Sequence, residues 1–137
     1  MRTLRLLDFL PFLLLAAALL PGCGPSQSTA AEPPPQVHGG WTRDRMEEKT
    51  AADVPASLQS LHPNKVWRVT YKGPHDISGL WIQYPNETVA FEALQKTNKG
   101  PAIRPFYRGG LFVILDADGV PPQALGDFQE GVTKALP

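Results

Sequence analysis

Between residues 65 and 137 the chain runs twice through the same order of patterns, strand, strand, helix. That order narrows the folds open to it more than any other feature. Val66-Trp67-Arg68-Val69-Thr70-Tyr71 alternates, so Trp67, Val69 and Tyr71 share one face of a strand. Residues 72–76 make a loop, and Leu80-Trp81-Ile82-Gln83-Tyr84 is a second strand. Pro85 ends it, and Asn86 is placed to cap a helix over residues 87–98. Ala90, Phe91, Leu94 and Thr97 form that helix's inner stripe, with Glu92 and Lys96 as an outward i, i+4 pair. Gly100-Pro101 stops it.

The second pass begins with Ile103-Arg104-Pro105-Phe106-Tyr107, whose internal proline assigns it to a sheet edge. Gly109-Gly110 makes a tight hairpin, and Leu111-Phe112-Val113-Ile114-Leu115 reads as a strand buried on both faces. Asp116-Ala117-Asp118-Gly119 is a turn. Pro121-Pro122 opens a last helix with Leu125, Phe128, Val132 and Leu136 at helical spacing. The residues themselves partly repeat. Residues 68–73 (RVTYKG) parallel 104–109 (RPFYRG), and 79–82 (GLWI) parallel 110–113 (GLFV). The expectation is an α+β domain: a four-stranded antiparallel sheet with both helices on one face, built as a ββα-ββα repeat.

Such a sheet sends Leu80, Ile82, Leu111, Val113 and Leu115 toward the helices, and Trp81, Gln83, Phe112 and Ile114 to the other side. Those four are the candidate partner-binding face, because a monomer seldom leaves large apolar groups together in water. Two covers are open to it. Residues 41–61 fold back with Trp41, Leu58 or Leu61 as the lid, or an envelope protein or second copy docks there. Arg68, Lys72, Arg104 and Arg108 take equivalent places in the two halves. They are a candidate basic patch for an anionic group, or solvated edge charges that discourage aggregation.

Upstream, residues 24–40 hold few large apolar groups and read as a spacer, with Pro33-Pro34-Pro35 favouring an extended polyproline form. Residues 41–52 are charged and read as a marginal helix capped by Thr42. Asp53-Val54-Pro55 opens a second short helix with Leu58 and Leu61 on one side. At the very start, Arg2 and Arg5 precede an 11-residue apolar run over residues 10–20. A membrane span needs about 20 residues, so this run fits a signal peptide.

Leu20-Pro21-Gly22-Cys23 resembles the lipobox of bacterial lipoproteins, although Pro21 stands where that family prefers Ala, Ser, Thr or Val. The resemblance covers only the first 25 or so residues. It implies that the chain is cut before Cys23, that Cys23 carries a diacylglycerol thioether, and that its new amino group is acylated, commonly with palmitate. Two or three acyl chains anchor stably. Gly24 stands where the family's inner-membrane retention signal has Asp, which favours the periplasmic side of the outer membrane in a diderm host. The chain then divides into a signal peptide (1–22), a lipid-anchored tether with a marginal helix (23–52) and an α+β domain (53–137).

Charge and chemistry narrow the function. The 13 basic and 13 acidic side chains cancel, which excludes a strong nucleic-acid footprint. One cysteine excludes an internal disulfide framework. Asp116-x-Asp118-Gly119 lacks the remaining ligands of a calcium loop. His38, His62 and His75 lack metal-ligand spacing. His75, Asp76 and Ser78 share a loop, with no nucleophile elbow. No catalytic residue, metal or cofactor is assigned. The expected role is a lipid-anchored envelope protein acting as a binding or adaptor module through its apolar sheet face. Two alternatives stand beside it: a small envelope hydrolase or metal-dependent enzyme using His75 and nearby acids, and a structural spacer lipoprotein.

Overall fold

The computed structural model describes residues 31–137, so the signal segment and Cys23 lie outside the described residues. Six strands form one antiparallel sheet in the order β1-β2-β3-β4-β6-β5. They are β1 (Gln36–Val37), β2 (Trp41–Lys49), β3 (Lys65–Lys72), β4 (Ile77–Gln83), β5 (Ile103–Arg108) and β6 (Leu111–Asp116). The helices are α1 (Glu87–Lys96) and α2 (Pro122–Ala135). The α+β class and the antiparallel sheet agree with the sequence, but the strand count is six rather than four.

Both extra strands come from the stretch read as tether and marginal helix. Residues 41–49 pair along β3 from Thr42 with Lys72 to Lys49 with Val66, with a bulge at Asp44. Beyond Trp41 neither face of β2 is buried, so its side chains show no apolar alternation. Charges of both signs suit such an edge because they discourage pairing with another chain. Next come two 3₁₀ segments, Ala51–Asp53 and Ala56–Leu61, in place of a regular second helix. The Asp53 carboxylate accepts from the Thr50 backbone N–H at 2.9 Å, which starts the first of them and holds that carboxyl below its usual range.

The helices lie on opposite faces, not on one. The first face carries Trp67, Val69, Tyr71, Ile77, Trp81, Phe106, Leu111, Val113 and Leu115 beneath Leu125, Phe128 and Val132 of α2. The second carries Val66, Leu80, Ile82, Phe112 and Ile114 beneath Ala90 and Ala93 of α1 and Val54 and Leu58 of the 3₁₀ segments. Register fixes this division. Trp81 stands opposite Val113 and Ile82 opposite Phe112, and directly paired residues share a face. Within each half the expected inward residues do face that half's own helix, Leu80 and Ile82 toward α1 and Leu111, Val113 and Leu115 toward α2. The echo is therefore one of order and pattern. Its equivalent residues, such as Trp81 and Phe112, end on opposite faces.

Local signals hold at several points. Asn86 Oδ1 accepts from the Val89 N–H at 3.0 Å and caps α1. Pro105 lies in β5, an edge strand. Gly109 turns the β5–β6 hairpin at a φ of +56°. Phe91, expected inward, is 44% exposed and meets Tyr107 edge-on at 5.8 Å, because Ala90 and Ala93 occupy the buried side of α1.

Candidate functional site

The four residues expected to form one apolar docking face do not share a face. Trp81 and Gln83 lie on the first and Phe112 and Ile114 on the second, and all four are buried within the chain. Residues 41–61 do fold back, but onto both sides: Trp41 closes the first core and Leu58 the second.

The four basic residues do not converge either. Arg68 and Lys72 belong to β3, Arg104 and Arg108 to β5, and β4 and β6 separate those strands. Three strand spacings of ~4.8 Å keep the pairs about 14 Å apart. Arg68 pairs with Asp116, Lys72 with Asp76 at 2.8 Å, and the Arg104 Nε–H donates to Gln129 Oε1 at 2.9 Å. The acids closest to the hydrolase reading are thus bound to Arg68 and Lys72. The His75 backbone carbonyl accepts the Trp41 indole N–H at 2.9 Å. Among the described residues, no cluster of three or more His, Cys, Asp or Glu side chains could hold a metal.

The structure instead assembles a site in which Gln83 is the one candidate residue from the sequence, joined by Arg43 and Tyr71. Residues 31–35 lie as a strap on the first face, with Pro33 and Pro34 buried and Ala31 packed on the core. Four donors hold it. Gln83 Nε2 donates to the Ala31 carbonyl at 2.9 Å, and Arg43 Nη1 to the Pro33 carbonyl at 2.7 Å. The Tyr71 hydroxyl donates to the Pro34 carbonyl at 2.7 Å, and the Arg43 backbone N–H to the Pro35 carbonyl at 2.9 Å. All four come from the sheet, and all four acceptors belong to the strap backbone. Proline has no backbone N–H, so a run of prolines offers acceptors only. A groove that offers only donors is its chemical complement. At Gln36 the chain regains an N–H and enters the ladder as β1.

Tyr71, which holds the Pro34 carbonyl, belongs to an aromatic cluster. Tyr71 meets Trp81 at 5.8 Å and Phe128 at 5.1 Å, and Phe128 meets Trp41 edge-on at 5.4 Å. Burial raises the Tyr71 hydroxyl well above its ordinary pKa and keeps it a donor. Hollows open at the Ala31 end of the strap and beside β1 with its following turn. One of about 430 Å³ is lined by Ala31, Gln83, Arg108 and Pro137 among others. Another, of about 530 Å³, lies beside Gln36, Val37, His38 and Ala135. The sequence signal for this site is the triple proline itself, which in isolation implies only a stiff spacer. Arg43 and Tyr71 carry no comparable mark in the sequence, one lying in a charged stretch and the other on an alternating strand.

Comparisons with protein-family models, curated proteins and solved structures returned no match to this chain.

Proposed function

We propose that this chain is a lipid-anchored bacterial envelope protein whose α+β domain acts as a binding or adaptor module. The anchor is Cys23, and the domain faces the periplasm from the outer membrane in a diderm host. The observation that supports binding is the strap clamp. Arg43, Tyr71 and Gln83 direct their hydrogen bonds at the main chain of an extended proline segment. Peptide-recognition surfaces use the same kind of chemistry, bonds to the main chain of an extended segment beside aromatic side chains. The clamp also shortens the tether. Ala31 lies eight residues after Cys23, and a fully extended chain covers at most about 3.5 Å per residue. The folded domain therefore works within about 28 Å of the anchored cysteine, close enough to meet proteins at the membrane surface.

Membrane fractionation with labelled palmitate tests the anchor. Wild type takes up label and sediments with membranes, and Cys23→Ser does neither. A wild-type chain that takes up no label ends the lipoprotein reading. In-membrane crosslinking tests the module. A defined crosslinked partner that weakens in Arg43→Ala, with the domain still folded by circular dichroism, supports it. Equal crosslinking in both chains overturns it.

A further inference from the structure

We infer that the clamp is a proline-recognition groove and that its second occupant is the strap of another copy of this chain, exchanged reciprocally. The inference rests on the binding-module reading and names its partner. Three observations carry it. First, the groove is specific in its chemistry. Its four bonds are all sheet donors to carbonyls of residues 31–35, and three of those residues lack an N–H. An ordinary peptide there would bury N–H groups without acceptors, so few segments fit, and the segment known to fit is the chain's own. Second, the strap and β1 join the rest of the sheet through His38-Gly39-Gly40, where the two glycines have φ of +104° and +96°. Glycine passes between such conformations and extended ones at little steric cost, so this turn can open as a hinge. Third, β1 forms only two pairs with β2, Gln36 with Thr42 and Val37 with Trp41. Releasing residues 31–37 leaves the β2–β3–β4–β6–β5 ladder intact.

An opened strap leaves the Tyr71 hydroxyl, the Gln83 amide and the Arg43 guanidinium without their acceptors. A strap from a second copy remakes all four hydrogen bonds. The closed and exchanged forms then share the same bonds, and the local concentration of copies decides between them. Anchoring on one membrane raises that concentration.

The register supplies a direct test. Gln36 and Thr42 are exposed ladder partners, and cysteines at directly paired positions fall within disulfide reach. Full-length chains carrying Gln36→Cys or Thr42→Cys are co-expressed, oxidised in the membrane and mapped by peptide mass spectrometry. A third chain with Lys99→Cys, in an exposed loop, replaces the Thr42 variant to measure random collision. The double variant Gln36→Cys/Thr42→Cys shows that the strap is seated, by closing the bridge. Exchange predicts an interchain 36–42 bridge about tenfold or more above the collision control. An interchain yield equal to that control overturns the inference. So does a Thr42 variant bridged only to a foreign protein. Palmitate uptake, read in the same sample, reports on the anchor separately. A labelled chain without the bridge rejects exchange and leaves the anchor standing.

Discussion

The two faces of the sheet are closed by different means. The second face is sealed by neighbours in sequence. The 3₁₀ segments directly precede β3 and α1 directly follows β4, and they meet the sheet largely through the small or aliphatic Val54, Leu58, Ala90 and Ala93. The first face is sealed by segments far apart in sequence, with strap, β1 and Trp41 at the start of the described residues and α2 near residue 130. Its core is aromatic, with Trp41, Trp67, Tyr71, Trp81 and Phe128. Contacts between segments so far apart in sequence close long loops, so this face forms at the greater entropic cost. It is also the face coupled to the membrane in the proposed function, because the strap is the stretch nearest the anchor.

The sharpest way to break this contrast is a pair of large deletions matched in burial. Trp81 and Phe112 are both fully buried, one on each face. Replacing either by alanine should cost about 3–5 kcal/mol, read from denaturant midpoints. The strap should separate them. The Arg43 amide is bonded to the Pro35 carbonyl, so its hydrogen exchange reports on strap seating. Trp81→Ala should speed that exchange well beyond the change in global stability, whereas Phe112→Ala should speed it no more than stability requires. Equal acceleration in both variants would show that the two faces open as one.

The next test concerns α2 alone, where two glycines have opposite surroundings. A Cβ on Gly131 would stand 2.8 Å from Val37 Cγ1 and closer still to the His38 carbonyl, so β1 and its turn rest directly on that residue. A Cβ on Gly126 would meet only Arg104 Nη2, at 3.7 Å. Gly131→Ala should destabilise by about 1–3 kcal/mol through overpacking, despite its better helix propensity. Gly126→Ala should stabilise by about 0.5–1 kcal/mol. Thermal melts of the two variants check both signs. A stabilised Gly131→Ala would mean that β1 is not seated against α2.

The sequence revealed the elements better than their arrangement, and the reasons are physical. Alternation in β3 and the Asn86 cap are local, so they could be read from a few residues. The inward set of each hairpin was also legible, since Leu80 and Ile82 lie one strand period apart and Trp81 falls between them on the other face. Which side of the sheet each helix takes was not. That depends on the hand of two connections, and an identical strand-strand-helix order permits either. The β2 strand was hidden because a solvated edge needs no apolar period, so Arg43 to Lys49 resembles a helix surface equally well. The clamp was hidden because its acceptors are backbone carbonyls, which leave no mark in side-chain patterns. Only the missing N–H groups of Pro33, Pro34 and Pro35 hinted at a groove made of donors.

The smallest effect, and the finest comparison, comes from one tyrosine on each face. Tyr71 lies in the first core and Tyr84 in the second. Burial raises both hydroxyls, Tyr84 to about 12 from 10.0 and Tyr71 further. A raised pKa means that stability is fully present below the unfolded value and is lost as pH rises through the folded one. Between pH 10 and about 12 the unfolded chain releases the Tyr84 proton while the folded chain keeps it. Each such tyrosine then removes about 1.4 kcal/mol per pH unit. Urea midpoints taken up to about pH 11.5 should fall with the combined slope of two tyrosines. Tyr84→Phe should remove one share and leave the strap seated. Tyr71→Phe should remove the other share, cost about 1 kcal/mol at neutral pH through the orphaned Pro34 carbonyl, and speed exchange at the Arg43 amide. If both variants alter that amide equally, the strap does not depend on the first face in particular, and the asymmetry between the faces fails at its most local point.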